Sequence, residues 1–171
     1  MISFEEFNRK FEIIRNDAKG DCLFESVAYL INNLPKDEDE DEEPRVLSHK
    51  DIRNFVYKFY EGFDRDIKYP TETIENYIIM GLLYDNDDED EYGEYISHDK
   101  NVSRGKVWGS MTDLLVCSVI FDIDINLYKI TESGYGIKLD KMKYQYKNKH
   151  TINILYNGVN HFEAIETNVF Y

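Results

Sequence analysis

The chain has 171 residues, 42% of them hydrophobic, and a formal net charge of −14. At this length one domain, residues 1–171, can form a core without a disulfide or a metal, and the acidic balance disfavours nucleic acid, because phosphates would repel it. No run of residues approaches the roughly 20 apolar residues of a membrane span, and the charged N-terminal segment is unlike a signal peptide. We therefore expect a cytoplasmic protein without membrane association. We also expect a monomer.

Apolar spacing predicts helices at the start of the chain. Residues 2–15 carry apolar positions at mostly helical spacing. A clearer amphipathic helix follows Gly20 and stops before Pro35. The next segment, residues 37–43 (DEDEDEE), holds seven acidic residues without a base. Such a charge run is typical of a solvated loop.

Further helices follow the first acidic run. Ser48 is placed to cap a helix, whose apolar face is predicted at Ile52, Phe55, Val56, Phe59 and Phe63. Thr71 or Thr73 can cap the next, which the second acidic loop, residues 85–91 (DNDDEDE), interrupts. Residues 110–121 predict a buried helix. The two acidic runs hold 13 of the 34 acidic residues, so the remainder of the chain is nearly neutral.

The last third of the chain alternates apolar and polar residues, as strands do. Residues 123–128 alternate strictly, Gly134 and Gly136 mark a turn, and a strand continues after it. Residues 151–156 and 161–165 form two more strands, joined by the turn signal Asn157-Gly158. Helices followed by a small, mostly antiparallel sheet predict an α+β fold.

Cys22 is a candidate nucleophile. It lies in Gly20-Asp21-Cys22-Leu23-Phe24, at the first turn of the predicted helix. Unpaired N–H groups and the positive end of the helix dipole favour a thiolate there, and free amides near Gly20 can hold a developing oxyanion. The alternative interpretation is a small buried residue. This segment alone does not separate the two.

His161 is the best candidate for a base. It directly follows a turn and begins an apolar strand. Glu163 lies two residues later and therefore on the same face of that strand, where it can hold the imidazole edge that His161 does not offer to Cys22. A thiol, a distant histidine and this carboxylate form a plausible nucleophile, base and orienting group.

Three segments in this order resemble the OTU (ovarian tumour) family of cysteine deubiquitinases. They are GDCLFESVAYL from Gly20, the segment from Val107-Trp108-Gly109-Ser110 through Asp113-Leu114-Leu115 to Ile125-Asn126-Leu127-Tyr128, and the final Asn160-His161-Phe162-Glu163. The resemblance implies a papain-like fold with a small sheet flanked by helices. It also implies hydrolysis of the bond after the C-terminal glycine of ubiquitin or a ubiquitin-like modifier, with Cys22 as nucleophile, His161 as base, and no cofactor or metal.

The cysteine loop, residues Lys19, Gly20 and Asp21, departs from the family pattern. That pattern usually reads Asp-Gly-x-Cys, and Lys19 stands where the family has the aspartate. Amides near Lys19 and Gly20, with that of Cys22, still suffice for an oxyanion hole, because that role needs N–H groups and no carboxylate.

The orienting residue also differs. The family usually has Asp or Asn, where this chain has Glu163. Asp17 is the alternative orienting residue and Asn160 a weaker one. By resemblance, Trp108, Gly109 and Asn160 lie beside the substrate channel, although packing in the core is favoured for a lone tryptophan such as Trp108.

The remaining cysteine and histidines are predicted to lie outside the site. Cys117 lies in an apolar segment, which predicts a buried structural thiol. His49 is expected to be exposed, and His98 and His150 follow polar segments. Residues 129–149 carry six lysines against two acids, which favours a solvated hairpin over a nucleic-acid site in so acidic a chain.

Two questions stay open at this level. A catalytically silent ubiquitin-binding module and an unrelated thiol peptidase or acyltransferase share the same cysteine and histidine. The acidic runs are either solvated linkers, which the pattern favours, or surfaces that steer the basic face of ubiquitin. Abundant Tyr, Ile, Asn and Lys favour an AT-rich genome, such as that of a large DNA virus or an intracellular bacterium.

Overall fold

The structure, a computed structural model, describes residues 1–17, 19–35, 46–86, 97–141, 148 and 150–168. The first acidic run and residues 87–91 of the second lie outside the described residues. The described helices are α1 (Phe4–Lys10), α2 (Cys22–Asn32), α3 (His49–Gly62), α4 (Ile74–Asp85), α5 (His98–Asn101) and α6 (Met111–Ile120). The described strands are β1 (Ile2–Ser3), β2 (Phe11–Ile14), β3 (Ile123–Ile130), β4 (Gly136–Lys141), β5 (His150–Tyr156) and β6 (Phe162–Thr167).

The described strands form one sheet in the order β1-β4-β3-β5-β6-β2. Strands β3 and β5 run parallel, and every other neighbouring pair is antiparallel. The turn between β5 and β6 contains Gly158 at a φ of 88°, a left-handed conformation that glycine adopts without strain. The predicted α+β fold with a mostly antiparallel sheet is confirmed. That the chain is a single domain stays a prediction.

The N-terminal segment differs from its prediction. Residues 2–15 were expected to be mostly helical, but only Phe4–Lys10 is a helix, and strands β1 and β2 flank it. The Ser3 hydroxyl caps this helix by accepting the Glu6 N–H at 3.1 Å. Strand β2 then pairs with β6, with Ile13 opposite Ile165. Helical spacing cannot reveal this edge pairing, because the partner strand lies at the other end of the chain.

The predicted helix caps at Ser48 and Thr73 are present, and Ser110 adds a cap that was not predicted. The hydroxyls of Ser48, Thr73 and Ser110 each accept an N–H group at the start of α3, α4 and α6. The second acidic loop was placed one residue too early, because Asp85 is the last residue of α4. Its carboxylate accepts a 2.8 Å hydrogen bond from the Ser110 hydroxyl, which binds the end of α4 to the start of α6.

The sheet separates two apolar cores, and this separation positions the candidate site. On one face, helices α2, α3, α4 and α6 pack against inward side chains such as Phe162 and Ala164. On the other face, Phe7 of α1 packs with Ile165 and neighbours on β4 and β5. Side chains alternate along β6, so Glu163 lies on the α1 side while its neighbours face the helices. Within the described residues, no helix combines the length and apolar composition needed to cross a membrane.

Candidate active site

Cys22 is the first residue of α2, and its thiol meets the start of β6. The side chain is 3% exposed. Its S–H donates to the Asn160 carbonyl at 3.8 Å, and the Phe162 N–H donates to Sγ at 3.4 Å. The fold therefore places the predicted nucleophile against the backbone on both sides of the predicted base.

A small polar network holds α2 against β6. The Ser26 hydroxyl, one turn after Cys22, donates to the Cys22 carbonyl at 2.7 Å and lies 3.3 Å from the Phe162 carbonyl. The Asn16 side-chain amide donates to the same Phe162 carbonyl at 3.0 Å and to the Ser26 hydroxyl at 3.3 Å. Sequence reasoning missed Asn16 and Ser26, because neither residue type marks a site until the distant strand is in place.

The turn before β6 fixes the backbone of His161. The Asn157 side-chain oxygen accepts the N–H groups of Val159, Asn160 and His161 at 2.8, 2.9 and 3.1 Å. The Asn157 N–H donates to the His161 carbonyl at 3.0 Å. The strong turn signal thus does more than reverse the chain, since it also holds Asn160 and His161 beside the thiol.

The His161 imidazole points toward Glu163. Its Nε2 lies 3.8 Å from Glu163 Oε1, which is longer than a hydrogen bond. The same oxygen accepts a hydrogen bond from Arg15 Nη1 at 3.2 Å. Within the described residues, the partners of Cys22 Sγ are backbone groups and do not include the imidazole. With Nε2 on the Glu163 side, Nδ1 is the ring nitrogen that can turn toward the thiol.

The environment of Cys22 keeps the thiol protonated in this arrangement. Burial raises the pKa of Cys22, and the adjacent Asp21 charge adds to this. Nearby backbone N–H groups, that of Phe162 foremost, lower the pKa but do not outweigh the burial. The helix N-terminus was expected to favour a thiolate, and the nearby amides do lower the pKa, but desolvation penalises the charged form more strongly.

Glu163 is the predicted orienting residue that lies nearest the imidazole. Its side chain is buried, with 8% of the residue exposed. Asp17 is exposed and makes no hydrogen bond or ion pair with a described residue. The Asn160 side-chain oxygen accepts a bond from the Asn157 amide at 3.2 Å and so belongs to the turn. The geometry favours Glu163 over both alternatives.

The cysteine loop is bordered by Trp108. Lys19 is exposed, and a Cβ added at Gly20 would lie 3.3 Å from Trp108 Nε1. Trp108 is 50% exposed, so the expectation that it packs in the core is wrong. A Cβ added at Gly109 would lie 2.8 Å from Leu23 Cβ, which is too close for any side chain. Gly109 therefore lets this segment approach the start of α2 and places the indole beside the loop.

Among the described residues, neither the other histidines nor Cys117 is a hydrogen-bond partner of the Cys22 thiol. His49 was expected to be exposed, but its side chain is 25% exposed and lies 3.7 Å from both Asp21 and Glu25. His98 was expected in a polar loop, but it begins α5, is 5% exposed and lies 2.8 Å from an Asp113 carboxylate oxygen. Cys117 is fully buried, and burial raises its pKa far above the ordinary value. Among the described residues, no three His, Cys, Asp or Glu side chains group as metal ligands would.

Comparison with known proteins places these observations in context. The chain matches the sequence model of OTU-like cysteine proteases over residues 17–162. No curated protein sequence matches it. One similar solved structure is an OTU deubiquitinase from Wolbachia pipientis bound to ubiquitin, with 15% identity, a TM-score of 0.56 and a match over 92% of this chain and 96% of that one. The Hazara virus OTU bound to ubiquitin has 16% identity, a TM-score of 0.55 and a match over 95% of this chain and 84% of that one. The OTU domain protease of Farallon virus has 15% identity, a TM-score of 0.57 and a match over 98% of this chain and 88% of that one. At these identities the likeness is one of fold.

Proposed function

The chain belongs to the family of OTU-like cysteine proteases, and from this premise we propose that it is a thiol-dependent deubiquitinase. It would hydrolyse the bond after the C-terminal glycine of ubiquitin or a ubiquitin-like modifier. The observation that carries the proposal is the contact of the Cys22 thiol, at the first turn of α2, with the backbone that flanks His161. The family match spans both residues and ends one residue before Glu163.

The reaction uses the thiol and the imidazole in turn. His161 takes the thiol proton as Cys22 attacks the carbonyl carbon of the scissile bond, and a tetrahedral oxyanion forms. The protonated imidazole then gives its proton to the departing lysine amine, which leaves a thioester on Cys22. Water, deprotonated by His161, attacks the thioester and releases the modifier. Because burial raises the pKa of Cys22, the thiol needs a base to become the nucleophile, and His161 supplies it.

The imidazole must turn for this step. Nδ1 has to replace the Asn160 carbonyl as the acceptor of the Cys22 proton, while Nε2 stays near Glu163. Catalytic hydrogen bonds are often long before substrate binds and tighten in the complex. Glu163 then orients the ring and stabilises its positive charge, a role that an acid two residues along the strand can fill.

The start of α2 supplies donors for the oxyanion. The first N–H groups of a helix have no partner within the helix. Asp21 is the N-cap residue of α2, but its side chain makes no capping hydrogen bond. The amides near Cys22 are therefore not occupied by the carboxylate and can bind a developing negative charge.

A narrow channel beside the thiol suits the tail of ubiquitin, which ends in two glycines. Trp108 borders the cysteine loop on one side, and the turn that holds Asn160 lies at the thiol on the other. We propose that this tail, which has no side chains at its end, passes between Trp108 and the turn.

A covalent probe tests this function. Ubiquitin carrying a C-terminal electrophile should form an adduct with the wild-type protein and none with Cys22→Ala, as measured by intact mass. Cys117→Ala is the matched control and should still react, because that thiol is buried in the core. No adduct with ubiquitin or with any ubiquitin-like modifier would exclude the proposal.

A catalytically silent ubiquitin-binding module is the second candidate. Two observations favour it. Lys19 stands in the cysteine loop where the family has an aspartate, and the His161 imidazole is not among the hydrogen-bond partners of the Cys22 thiol in the described residues. Calorimetry showing ubiquitin binding, with no cleavage of a full panel of di-ubiquitins, would support this candidate, and turnover of any linkage would exclude it. A thiol peptidase of another specificity would instead cleave other peptides and ignore ubiquitin.

A further inference from the structure

Arg53 is the largest fully buried side chain of the described residues, and the reaction outlined above does not use it. It lies on the first half of α3, and only 2% of it is exposed. A buried guanidinium keeps its charge, so it needs a counter-charge and a partner for each of its N–H groups. Its partners therefore indicate what it is there to hold.

All five N–H donors of Arg53 have an acceptor nearby. Toward the cysteine loop, Nε donates to Asp21 Oδ1 at 2.8 Å, and Nη2 lies 2.7 Å from the same oxygen and donates to the Gly20 carbonyl at 2.9 Å. Toward the segment that leads to Trp108, Nη1 donates to the carbonyls of Val102 and Val107 at 2.9 and 2.8 Å.

The guanidinium thus joins the cysteine loop to the segment that leads to Trp108. Both lie on the same side of the proposed channel, opposite the turn that holds Asn160. The guanidinium carbon also lies 4.3 Å from the ring centroid of Phe24, two residues after Cys22. A lysine could not replace these contacts, because its ammonium group has three donors at one point rather than five in a planar fork.

The contact with Asp21 explains why α2 has no side-chain cap. Aspartate is among the preferred N-cap residues, since its carboxylate accepts N–H groups of the first turn. In this protein the carboxylate is bound to Arg53 and makes no capping bond. A carboxylate that rotated onto the first turn would occupy the amides and place a negative charge beside the oxyanion.

We propose that Arg53 is the positioning residue of the cysteine loop. By binding Gly20 and Asp21 on one side and Val102 and Val107 on the other, it keeps the amides at the start of α2 open to the oxyanion and fixes the cysteine loop against the segment that leads to Trp108. The inference rests on the proposed deubiquitinase function, but its effect on the thiol is measurable without ubiquitin.

The first test compares Arg53→Lys with Arg65→Lys. Arg65 pairs with Asp99 at a more exposed position, at 2.9 Å, and serves as the matched control. For a fluorogenic ubiquitin C-terminal amide, Arg53→Lys should lower kcat by about 100-fold and change KM by less than about 3-fold, because misplaced donors act mainly on the transition state. Arg65→Lys should keep both values. A kcat for folded Arg53→Lys within about 3-fold of wild type would overturn the proposal.

The second test needs no change at a buried position. Asp21→Asn keeps an oxygen that can accept the Arg53 bond, whereas Asp21→Ala does not. We expect Asp21→Asn to retain a kcat at least about 10-fold higher than that of Asp21→Ala at equal folded fraction. Equal values for the two variants would contradict the role of Arg53, and this comparison remains informative even if Arg53→Lys does not fold.

A third measurement separates this inference from the proposed function. The alkylation rate of Cys22 by iodoacetamide is compared in Cys117→Ala protein with and without Asp21→Ala. The loop change should alter this rate by more than about 3-fold, because it removes the carboxylate that binds Arg53 and so displaces the loop and the amides around the thiol. An unchanged rate would overturn the inference, and a changed rate in a protein that ignores ubiquitin would leave it standing while the proposed function fails.

Discussion

The His161–Glu163 pair and the His98–Asp113 pair place the same chemical groups in different surroundings. In the first, the imidazole and the carboxylate are 3.8 Å apart, with 30% and 11% of the side chains exposed. In the second, the distance is 2.8 Å and the exposures are 6% and 0%. The first pair lies beside Cys22, whereas the second lies among helices α3, α5 and α6.

The tighter pair is built for stability. Asp113 also accepts the Tyr60 hydroxyl at 2.6 Å and the Ser110 N–H at 2.9 Å, so both of its oxygens are hydrogen-bonded. A base that is so enclosed cannot reach a substrate. The looser pair has the access and the freedom to turn that proton transfer requires. A short histidine–carboxylate distance is therefore a poor guide to catalysis unless a nucleophile and an opening accompany it.

The largest expected difference between the two pairs is in kcat and melting temperature, when each histidine is replaced in turn by glutamine. We expect His161→Gln to lower kcat by about 1,000-fold or more, because it removes the base, with little change in melting temperature. His98→Gln should instead lower the melting temperature and keep the turnover of the folded fraction. Steady-state kinetics would measure kcat, and thermal melting would measure the melting temperature. Loss of turnover in folded His98→Gln would contradict the assignment of His98 to stability alone.

Breaking the buried pair should mainly affect stability. Asp113→Ala leaves a buried imidazole and hydroxyl without their partner and should lower the free energy of unfolding by about 3–5 kcal/mol. Tyr60→Phe removes one hydrogen bond to the carboxylate and should cost about 1.5–3 kcal/mol. Urea denaturation would measure both changes, and a loss below about 1 kcal/mol for Asp113→Ala would contradict the structural role.

The looser pair should be sensitive to Glu163 and insensitive to Asp17. Glu163→Ala should lower kcat by about 10- to 100-fold, because the imidazole loses its orienting charge. Asp17→Ala is the control and should change kcat by less than about 2-fold. The reverse pattern in the kinetics would make Asp17 the orienting residue.

The smallest effect concerns pH. Burial lowers the pKa of His98, but the hydrogen bond and charge of Asp113, with the charges of Asp85 and Asp99, raise it above its ordinary 6.5. The native state thus binds the proton more tightly than the unfolded state does. The resulting stability is fully present below about pH 6.5 and is lost as the pH rises through the native pKa. Urea titrations from about pH 6 to pH 8 should show this decline in wild type and a smaller one in His98→Gln.

Local sequence signals predicted much of the fold. The caps at Ser48 and Thr73 and the turn at Asn157-Gly158 depend on residues a few positions apart, and all are present. Strand β2 was missed because its pairing with β6 joins the two ends of the chain. On α3, Ile52 and Val56 are buried as predicted, whereas Phe55 and Phe59 are only partly buried and Arg53 and Tyr60 are buried beyond the prediction.

The sequence by itself determined that a cysteine begins a helix and that a histidine follows a turn, because helix periodicity, capping and turn geometry are short-range effects. Only the tertiary structure decided that Nε2 of His161 faces Glu163, that Trp108 is half exposed, and that a buried arginine binds the cysteine loop. A charged side chain can be buried only where distant segments supply its partners. Residue spacing does not encode those partners, so Arg53 looked like an ordinary polar position on an amphipathic helix.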